Sequence, residues 1–121
     1  MFKHILAPTD GSKLSMKAVD QAIKLALETG AKLSLVTVVS SYPMVYAGDG
    51  YVLQPMSPKE WETSMSKHAA SHLAAAKKRA AAKNLQVNLI TVMNDEPYTG
   101  IINTAKSKKC DLIMMASHGR R

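Results

Sequence analysis

The sequence predicts an α/β fold, an open and doubly wound parallel sheet of four strands with helices on both faces. Short apolar segments alternate with longer segments whose apolar residues recur every three or four positions, in the order β-α-β-α-β-α-β. Residues 32–39 are apolar almost throughout, which is typical of a parallel strand buried on both faces. Strands that alternate with helices in this way form a parallel sheet with right-handed crossovers.

The chain opens with a short strand that leads directly into a turn. Residues 5–7 are apolar, Pro8 ends the strand, and Asp10 and Ser12 flank a glycine in the turn. Either Asp10 or Ser12 is expected to cap a helix that begins near Lys13, because both side chains accept hydrogen bonds from backbone N–H groups.

The first helix is predicted over residues 13–29, and Gly30 stands where a left-handed C-terminal cap is expected. The second strand follows over residues 32–39. The apolar positions of the helix are predicted to form one inward stripe, made of Leu14, Ala18, Val19, Ala22, Ile23 and Leu25 or Ala26.

Residues 40–57 form the long irregular segment of the chain, with prolines and glycines at several positions. A loop of this length inside a compact domain is usually either functional or mobile. The sequence therefore leaves two interpretations open, a lid and a plain connector.

A capping box begins the second helix. Ser57 and Glu60 have the required spacing, and Pro58 occupies the first helical position. The helix is predicted to reach about Lys83. Its inward stripe is predicted to contain Trp61, Met65, Ala69, Leu73, Ala76 and Ala80.

The last three elements are shorter. A strand is predicted over residues 86–93, a helix opens at Pro97 and reaches about Lys108, and a final strand covers residues 111–115. The third helix is predicted to turn Ile101, Ile102 and Ala105 inward.

Composition indicates one small domain. The chain has 121 residues, of which 46% are hydrophobic and 21% charged. Its one cysteine, Cys110, rules out an internal disulfide and suits a reducing compartment. Neither a signal peptide nor an apolar run of membrane-spanning length is evident, so a cytoplasmic location is expected.

The net charge of +7 raises the question of a polyanionic partner. Much of the excess lies near the C-terminal ends of the second and third helices, where cations complement the helix dipole. Aromatic residues are not interleaved with these cations, and no nucleic-acid-reading motif is present. The charge therefore favours an anionic small ligand over a nucleic acid.

Several classes of catalytic site are absent from the sequence. It has neither a Walker phosphate loop nor a dinucleotide-binding glycine motif, and no serine stands in a nucleophile elbow. His68 and His72 stand one helical turn apart and invite a zinc hypothesis, but a third ligand with suitable spacing is missing. We expect an exposed polar face there, no metal site and no catalytic residue.

Two strand ends carry the chemistry that remains. Asp10 follows the first strand as a helix cap, a ligand contact or both. Residues 117–121 (Ser-His-Gly-Arg-Arg) follow the last strand and offer a hydroxyl, an imidazole and two guanidinium groups, either as a phosphate cradle or as a basic tail. We expect the first and last strands to be neighbours, so that these groups face one crevice.

This pattern resembles the universal stress protein family. The resemblance rests on residues 5–12 (Ile-Leu-Ala-Pro-Thr-Asp-Gly-Ser), the helix ending at Gly30, the strand closing on Val38, the helix opening at Pro97 and residues 110–121. It implies an adenine-nucleotide alpha hydrolase-like sheet, usually of five strands, and frequent homodimers. It also implies a stress-response module that binds ATP or AMP, with Mg²⁺ accompanying the nucleotide. We expect a binding protein with at most slow ATP hydrolysis.

The resemblance also implies a set of nucleotide-binding residues. Asp10 would lie on the ribose or phosphate side, and Val38 would meet the adenine edge through its backbone. Pro8 and Thr9 would wall the pocket. The residues that would line the ribose and phosphates are Met115, Ala116, His118 and Gly119.

The chain departs from the family's glycine pattern. Ala116 stands at the first glycine position, and the sequence stops two residues after Gly119, before the third glycine, the last helix and the fifth strand. We therefore expect residues 1–121 to be a single domain, incomplete at its C-terminus, whose final strand exposes residues 112–114 at the sheet edge. The same departures leave an alternative open, a family member that binds no nucleotide and acts through protein–protein contacts.

Overall fold

The structure is a computed structural model, and it describes residues 2–41 and 57–116. Strands and helices alternate along the chain as the sequence predicts. The elements are β1 (His4–Pro8), α1 (Lys13–Thr29), β2 (Lys32–Val39), α2 (Pro58–Ala82), β3 (Asn88–Met93), α3 (Pro97–Ser107) and β4 (Leu112–Ile113).

The four strands form one parallel sheet in the order β3-β2-β1-β4. Ile5 pairs with Leu33 on one side and with Leu112 on the other, so β1 is an interior strand. The α/β fold class, with its four parallel strands, is confirmed. The strand order also confirms that the first and last strands are neighbours.

The helices cover the two faces of the sheet unequally. Helices α1 and α2 pack on one face, around Ile5, Ala7 and Leu35, which are fully buried. Helix α3 packs on the other face, where Ile101 and Ala105 meet a smaller apolar cluster. Since α1 and α2 follow the first two strands and α3 leads across to β4, the chain switches faces as it passes from β3 to β4.

Capping residues fix where the helices begin and end. Ser12 caps α1 by accepting the N–H of Ser15 at 3.1 Å, which decides between the two candidate caps. Gly30 ends the same helix at φ +75°, a left-handed conformation that a glycine adopts at little cost. Ser57 and Glu60 form the predicted capping box of α2.

Some predicted details are wrong. Leu14 is 38% exposed, because the first turn of α1 buries Ser15 and Met16 in its place, whereas Ala18, Val19, Ala22, Ile23 and Ala26 are buried as predicted. Ile102 is 46% exposed, since α3 packs on the sheet along a single side. Strand β4 has two residues, fewer than predicted, and β3 begins at Asn88. Most of the irregular segment, residues 42–56, lies outside the described residues.

Asp111 joins the start of β4 to the start of β1. Its carboxylate accepts the backbone N–H of Lys3 at 2.9 Å and that of His4 at 3.0 Å, while its own N–H donates to the C=O of His4. These three bonds anchor the short edge strand at its amino end. In the described residues, no helix is both long and apolar enough to cross a membrane.

Candidate functional site

The order of the strands places a crevice between the ends of β1 and β4. In an open parallel sheet, ligands bind beyond the carboxyl ends of the strands at the point where the strand order reverses. That point lies here, since β2 and β3 extend the sheet on one side of β1 and β4 pairs on the other.

The register of β1 and β4 identifies the residues at this crevice. Leu6 pairs with Ile113, and the N–H of Met114 donates to the C=O of Leu6 at 2.9 Å. Continued by two residues, this register places Met115 beside Pro8. The loop after β1, with its carboxylate, and the residues that follow β4 therefore start from neighbouring positions on one edge.

A buried threonine organises the loop after β1. Thr9 is 4% exposed, and its Oγ1 accepts the N–H of Gly11 at 3.1 Å and lies 3.0 Å from the hydroxyl of Ser15. The hydroxyl of Thr37 on β2 donates to the C=O of Thr9 at 2.9 Å. The side chain of Thr9 thus fixes the loop that carries Asp10, and its backbone N–H and C=O are also hydrogen-bonded within the protein.

Asp10 lies on the exposed side of the same loop and is ionised at neutral pH. Its Oδ1 accepts the backbone N–H of Ser12 at 2.9 Å. A hydrogen bond from the Ser12 hydroxyl is the main cause that lowers the pKa of Asp10 below its ordinary value of 3.8. Partial burial opposes this, and the Ser12 backbone and the Ser15 hydroxyl reinforce it. A carboxylate in this state accepts hydrogen bonds from hydroxyl and amide donors.

The backbone of Val38 faces the same edge. The N–H of Thr9 donates to the C=O of Val36 at 2.9 Å, so alternate residues of β2 turn their backbone groups toward β1. Val38 lies two residues further along, past the point at which β1 turns away into its loop. Its side chain packs toward α3, where a Cβ built on Gly100 would lie 3.2 Å from Val38 Cγ1.

The end of β4 contributes an exposed apolar side chain and an ordinary backbone. Met115 is 42% exposed beside the crevice. Among the described residues, the non-glycine positions with positive φ are Asn84 and Lys109, so Ala116 has no need of a glycine's conformational freedom. His118 and Gly119, with the rest of the predicted phosphate cradle, lie outside the described residues.

His72 is a residue of this site that sequence reasoning missed. Its ring lies against Gly11, whose added Cβ would come within 2.5 Å of His72 Cδ2. The ring is half-buried, so the prediction of an exposed polar face is wrong for His72, whereas His68 is exposed. The two residues in contact are 61 positions apart, and no local pattern indicates that α2 reaches the loop after β1.

The histidine pair has no further ligands near it in the part of the chain that the structure describes. The rings of His68 and His72 are tilted, with centroids 6.4 Å apart. Within residues 2–41 and 57–116, no group of three or more His, Cys, Asp or Glu side chains could hold a metal ion. The site offers hydrogen-bond acceptors, backbone groups and apolar walls.

Comparison with known proteins agrees with this architecture. The universal stress protein YxiE of Bacillus subtilis is 35% identical over 127 residues, which cover 98% of this chain and 81% of that protein. The universal stress protein A homolog 1 of Coxiella burnetii is 27% identical over 118 residues, covering 98% of this chain and 78% of that protein.

Solved structures have the same fold. A universal stress family protein from Burkholderia pseudomallei superposes with a TM-score of 0.79 at 23% identity, covering 96% of this chain and 82% of its own. A universal stress protein crystallised in complex with cAMP superposes with a TM-score of 0.69 at 26% identity, covering 94% and 75%. The model of the universal stress protein family matches residues 1–121. The chain belongs to the universal stress protein family.

Proposed function

We propose that this protein binds an adenosine nucleotide in the crevice between β1 and β4 and serves as a binding module in a stress response. The observation that carries the proposal is the pairing of β1 with β4, which brings the Asp10 loop and the end of β4 to one edge of the sheet. ATP and AMP are the proposed ligands, with Mg²⁺ accompanying the phosphates of ATP.

The ionisation of Asp10 indicates which part of the nucleotide it meets. A carboxylate whose pKa is lowered by the Ser12 hydroxyl carries a full negative charge at neutral pH. Such a group accepts hydrogen bonds from the ribose hydroxyls but repels phosphates at close range. We therefore place the ribose, and not the phosphates, next to Asp10.

The base and the phosphates extend from the ribose in opposite directions along the sheet edge. Val38 turns its backbone toward this edge, which suits the donor and acceptor pattern of adenine, and Pro8 and Met115 supply apolar walls. The phosphates lie on the β4 side, where backbone N–H groups of Ala116, His118 and Gly119 would donate to them. Thr9 supports the loop from below.

A relative's ligand supports this assignment. The universal stress protein crystallised with cAMP is 26% identical to this chain and contains the same fold over 94% of it. Cyclic AMP shares its adenine and ribose with ATP and AMP, so a pocket that recognises adenosine serves all three. The family pattern has glycine at position 116. Alanine there does not count against the assignment, because the backbone at Ala116 has no positive φ.

Titration calorimetry with ATP, AMP and cAMP, with and without Mg²⁺, tests the proposal. Asp10→Asn removes the negative charge of the group that accepts hydrogen bonds from the ribose hydroxyls. We expect about ten- to hundredfold weaker binding, since a hydrogen bond to a charged group contributes ~1.5–3 kcal/mol. Glu28→Gln, which removes an exposed carboxylate at the far end of α1, serves as the matched control and should bind as the wild type does.

The alternative function is a family member that acts through protein contacts without nucleotide. The motivation for this alternative is a departure in the sequence, since position 116 is alanine where the family pattern has glycine. An absence of calorimetric heat with all three nucleotides, confirmed by unchanged thermal unfolding in their presence, would replace the first proposal with this one.

We further propose that the protein is cytoplasmic and forms a homodimer. Strand β4 is an edge strand of the described sheet, and edge strands offer backbone groups for pairing with a second chain. Light scattering coupled to size exclusion measures the mass directly. A mass equal to that of one chain across the accessible concentration range would reject the dimer.

A further inference from the structure

We infer that the groove between α1 and α2 is a docking site for an acidic, leucine-containing segment of a partner protein. The groove has a volume of about 420 Å³ and lies along the second half of α1, away from the nucleotide crevice. This inference does not depend on the proposed nucleotide binding. The groove residues are Asp20, Gln21, Ile23, Lys24, Leu27, Arg79 and Lys83.

The rim of the groove is positively charged. Lys24 lies on α1, Arg79 lies in the last turn of α2, and Lys83 is the C-cap of α2. Both lysines are exposed and line the groove. The carboxylate of Asp20 pairs with Arg79 Nη1 at 2.8 Å and compensates one of the three cations. Two positive charges therefore remain uncompensated around one cavity, and they favour an anionic partner.

Arg79 is held in place with donors to spare. Its Nη1 donates to Asp20 and also to the backbone C=O of Met16 at 3.3 Å. Both bonds use the same nitrogen, so Nη2 and Nε have no hydrogen-bond partner among the described residues and remain available to an acceptor. A guanidinium fixed in this manner binds a carboxylate with little further loss of side-chain freedom.

The floor of the groove is apolar. Ile23 is 4% exposed beneath it, and Leu27 is 47% exposed at its side. Covering Leu27 with an apolar side chain of a partner is favourable, because it removes exposed apolar surface from water. The groove therefore combines an apolar seat with flanking cations.

This combination selects an acidic peptide over other polyanions. A nucleic acid gains nothing from covering Leu27, and its continuous phosphate row would meet the carboxylate of Asp20 inside the groove. A peptide can place a leucine against Ile23 and Leu27 and separate carboxylates near Lys24 and Lys83, and it can turn a backbone N–H toward Asp20. The volume is that of a typical ligand pocket, enough for a few side chains.

Fluorescence polarisation with a fluorescein-labelled peptide of repeated Glu-Leu-Leu-Glu units tests the inference on the whole chain. We expect saturable binding that weakens about tenfold when Lys24→Glu and Lys83→Glu are combined, since each close ion pair becomes a repulsion. Leu27→Ser should weaken binding as well. The matched control combines Lys77→Glu with Lys78→Glu, which reverses two exposed charges of α2 outside the groove and should change affinity less than about twofold.

Four outcomes of these measurements would contradict the inference. Peptide binding that is absent up to about 1 mM overturns it, as does equal weakening by the two charge-reversal pairs. A Glu-Ser-Ser-Glu peptide that binds equally well would show that the apolar floor has no role. Displacement of the peptide by a single-stranded oligonucleotide or by phosphatidylserine vesicles, at equal charge concentration, would assign the groove to a nucleic acid or a membrane instead.

Discussion

His72 and Gly11 are in direct contact, so that helix α2 closes over the loop that follows β1. A Cβ on Gly11 would lie 2.5 Å from His72 Cδ2 and 2.8 Å from Nε2. Among the buried side-chain nitrogens and oxygens of the described residues, His72 Nδ1 is the atom without a hydrogen-bond partner. The ring therefore acts here mainly through its shape, as a positioning residue for the loop that carries Asp10.

Gly11→Ala should destabilise the protein by more than Gly30→Ala. Both glycines have positive φ, at +82° and +75°, and each substitution costs ~1–2 kcal/mol of backbone strain. Nothing lies within 4 Å of a Cβ at Gly30, whereas His72 meets one at Gly11. Urea unfolding should give a difference of about 1 kcal/mol or more between the two variants.

His72→Ala provides the second half of this test. In that background the steric part of the Gly11→Ala cost should disappear and the cost should fall to that of Gly30→Ala. Additive costs in the double variant would mean that the two residues are not coupled in solution.

Ser12→Ala should remove the cap of α1 and raise the pKa of Asp10. We expect a loss of about 1 kcal/mol in unfolding free energy, as for other N-cap serines. The pKa of Asp10 should move up toward 3.8, because the Ser12 hydroxyl is the main group that lowers it. A carboxyl carbon titration by NMR follows this pKa directly. Ser57→Ala, which removes the cap of α2, should lower stability similarly and leave the titration of Asp10 unchanged.

Asp111→Asn should weaken the protein at neutral pH and have less effect in acid. The backbone N–H of His4, then that of Lys3, lowers the pKa of Asp111 below 3.8, so its bonds add stability above the unfolded pKa. That stability is lost as pH falls through the lowered folded pKa. The gap in urea midpoint between wild type and variant should therefore narrow below about pH 4. Glu62→Gln, at an exposed site on α2, is the control, and its urea midpoint should stay close to that of the wild type. A difference in midpoint for Asp111→Asn that does not change with pH would contradict the proposed link between the ionisation of Asp111 and stability.

Gly100→Ala should disturb the contact between α3 and β2. The new Cβ would lie 3.2 Å and 3.3 Å from the two methyl groups of Val38 and 3.2 Å from Asn94 Cβ. Overpacking costs ~1–3 kcal/mol, whereas alanine in a helix gains ~1 kcal/mol over glycine. We expect a net loss of about 1 kcal/mol in thermal or urea unfolding. In a Val38→Ala background the substitution should become neutral or stabilising, and a loss of the same size there would refute the contact.

The sequence predicts the elements of this fold well because their signals are local. Helix α1 and strand β2 have the predicted bounds, and the capping box at Ser57 and the glycine cap at Gly30 are confirmed. Periodicity identifies helix α1 and most of its buried stripe, but it misplaces the first position of that stripe. Ser15 replaces Leu14 inside because its hydroxyl bonds to Thr9, a contact that hydrophobicity does not reveal.

The site is less accessible to sequence reasoning than the fold. The pairing of β1 and β4 was predicted from two similar strand ends, and the structure confirms it. The contact of His72 with Gly11 and the groove around Arg79 bring α2 against segments that are far from it in the sequence, the loop after β1 and helix α1. Neither has a local pattern, because each depends on how α1 and α2 lie against one another.

The hydrogen bonds from Lys3 and His4 to Asp111 span 108 and 107 positions of the chain, and they have a consequence for biosynthesis. As the ribosome delivers the polypeptide from its amino end, β1 emerges early and finds β2 soon afterwards. One side of β1 then stays unpaired until the residues between Val39 and Leu112 have been made. Folding that depends on such distant pairing is slow, and a nascent strand with an open side is the part of the molecule for which a chaperone would have most use.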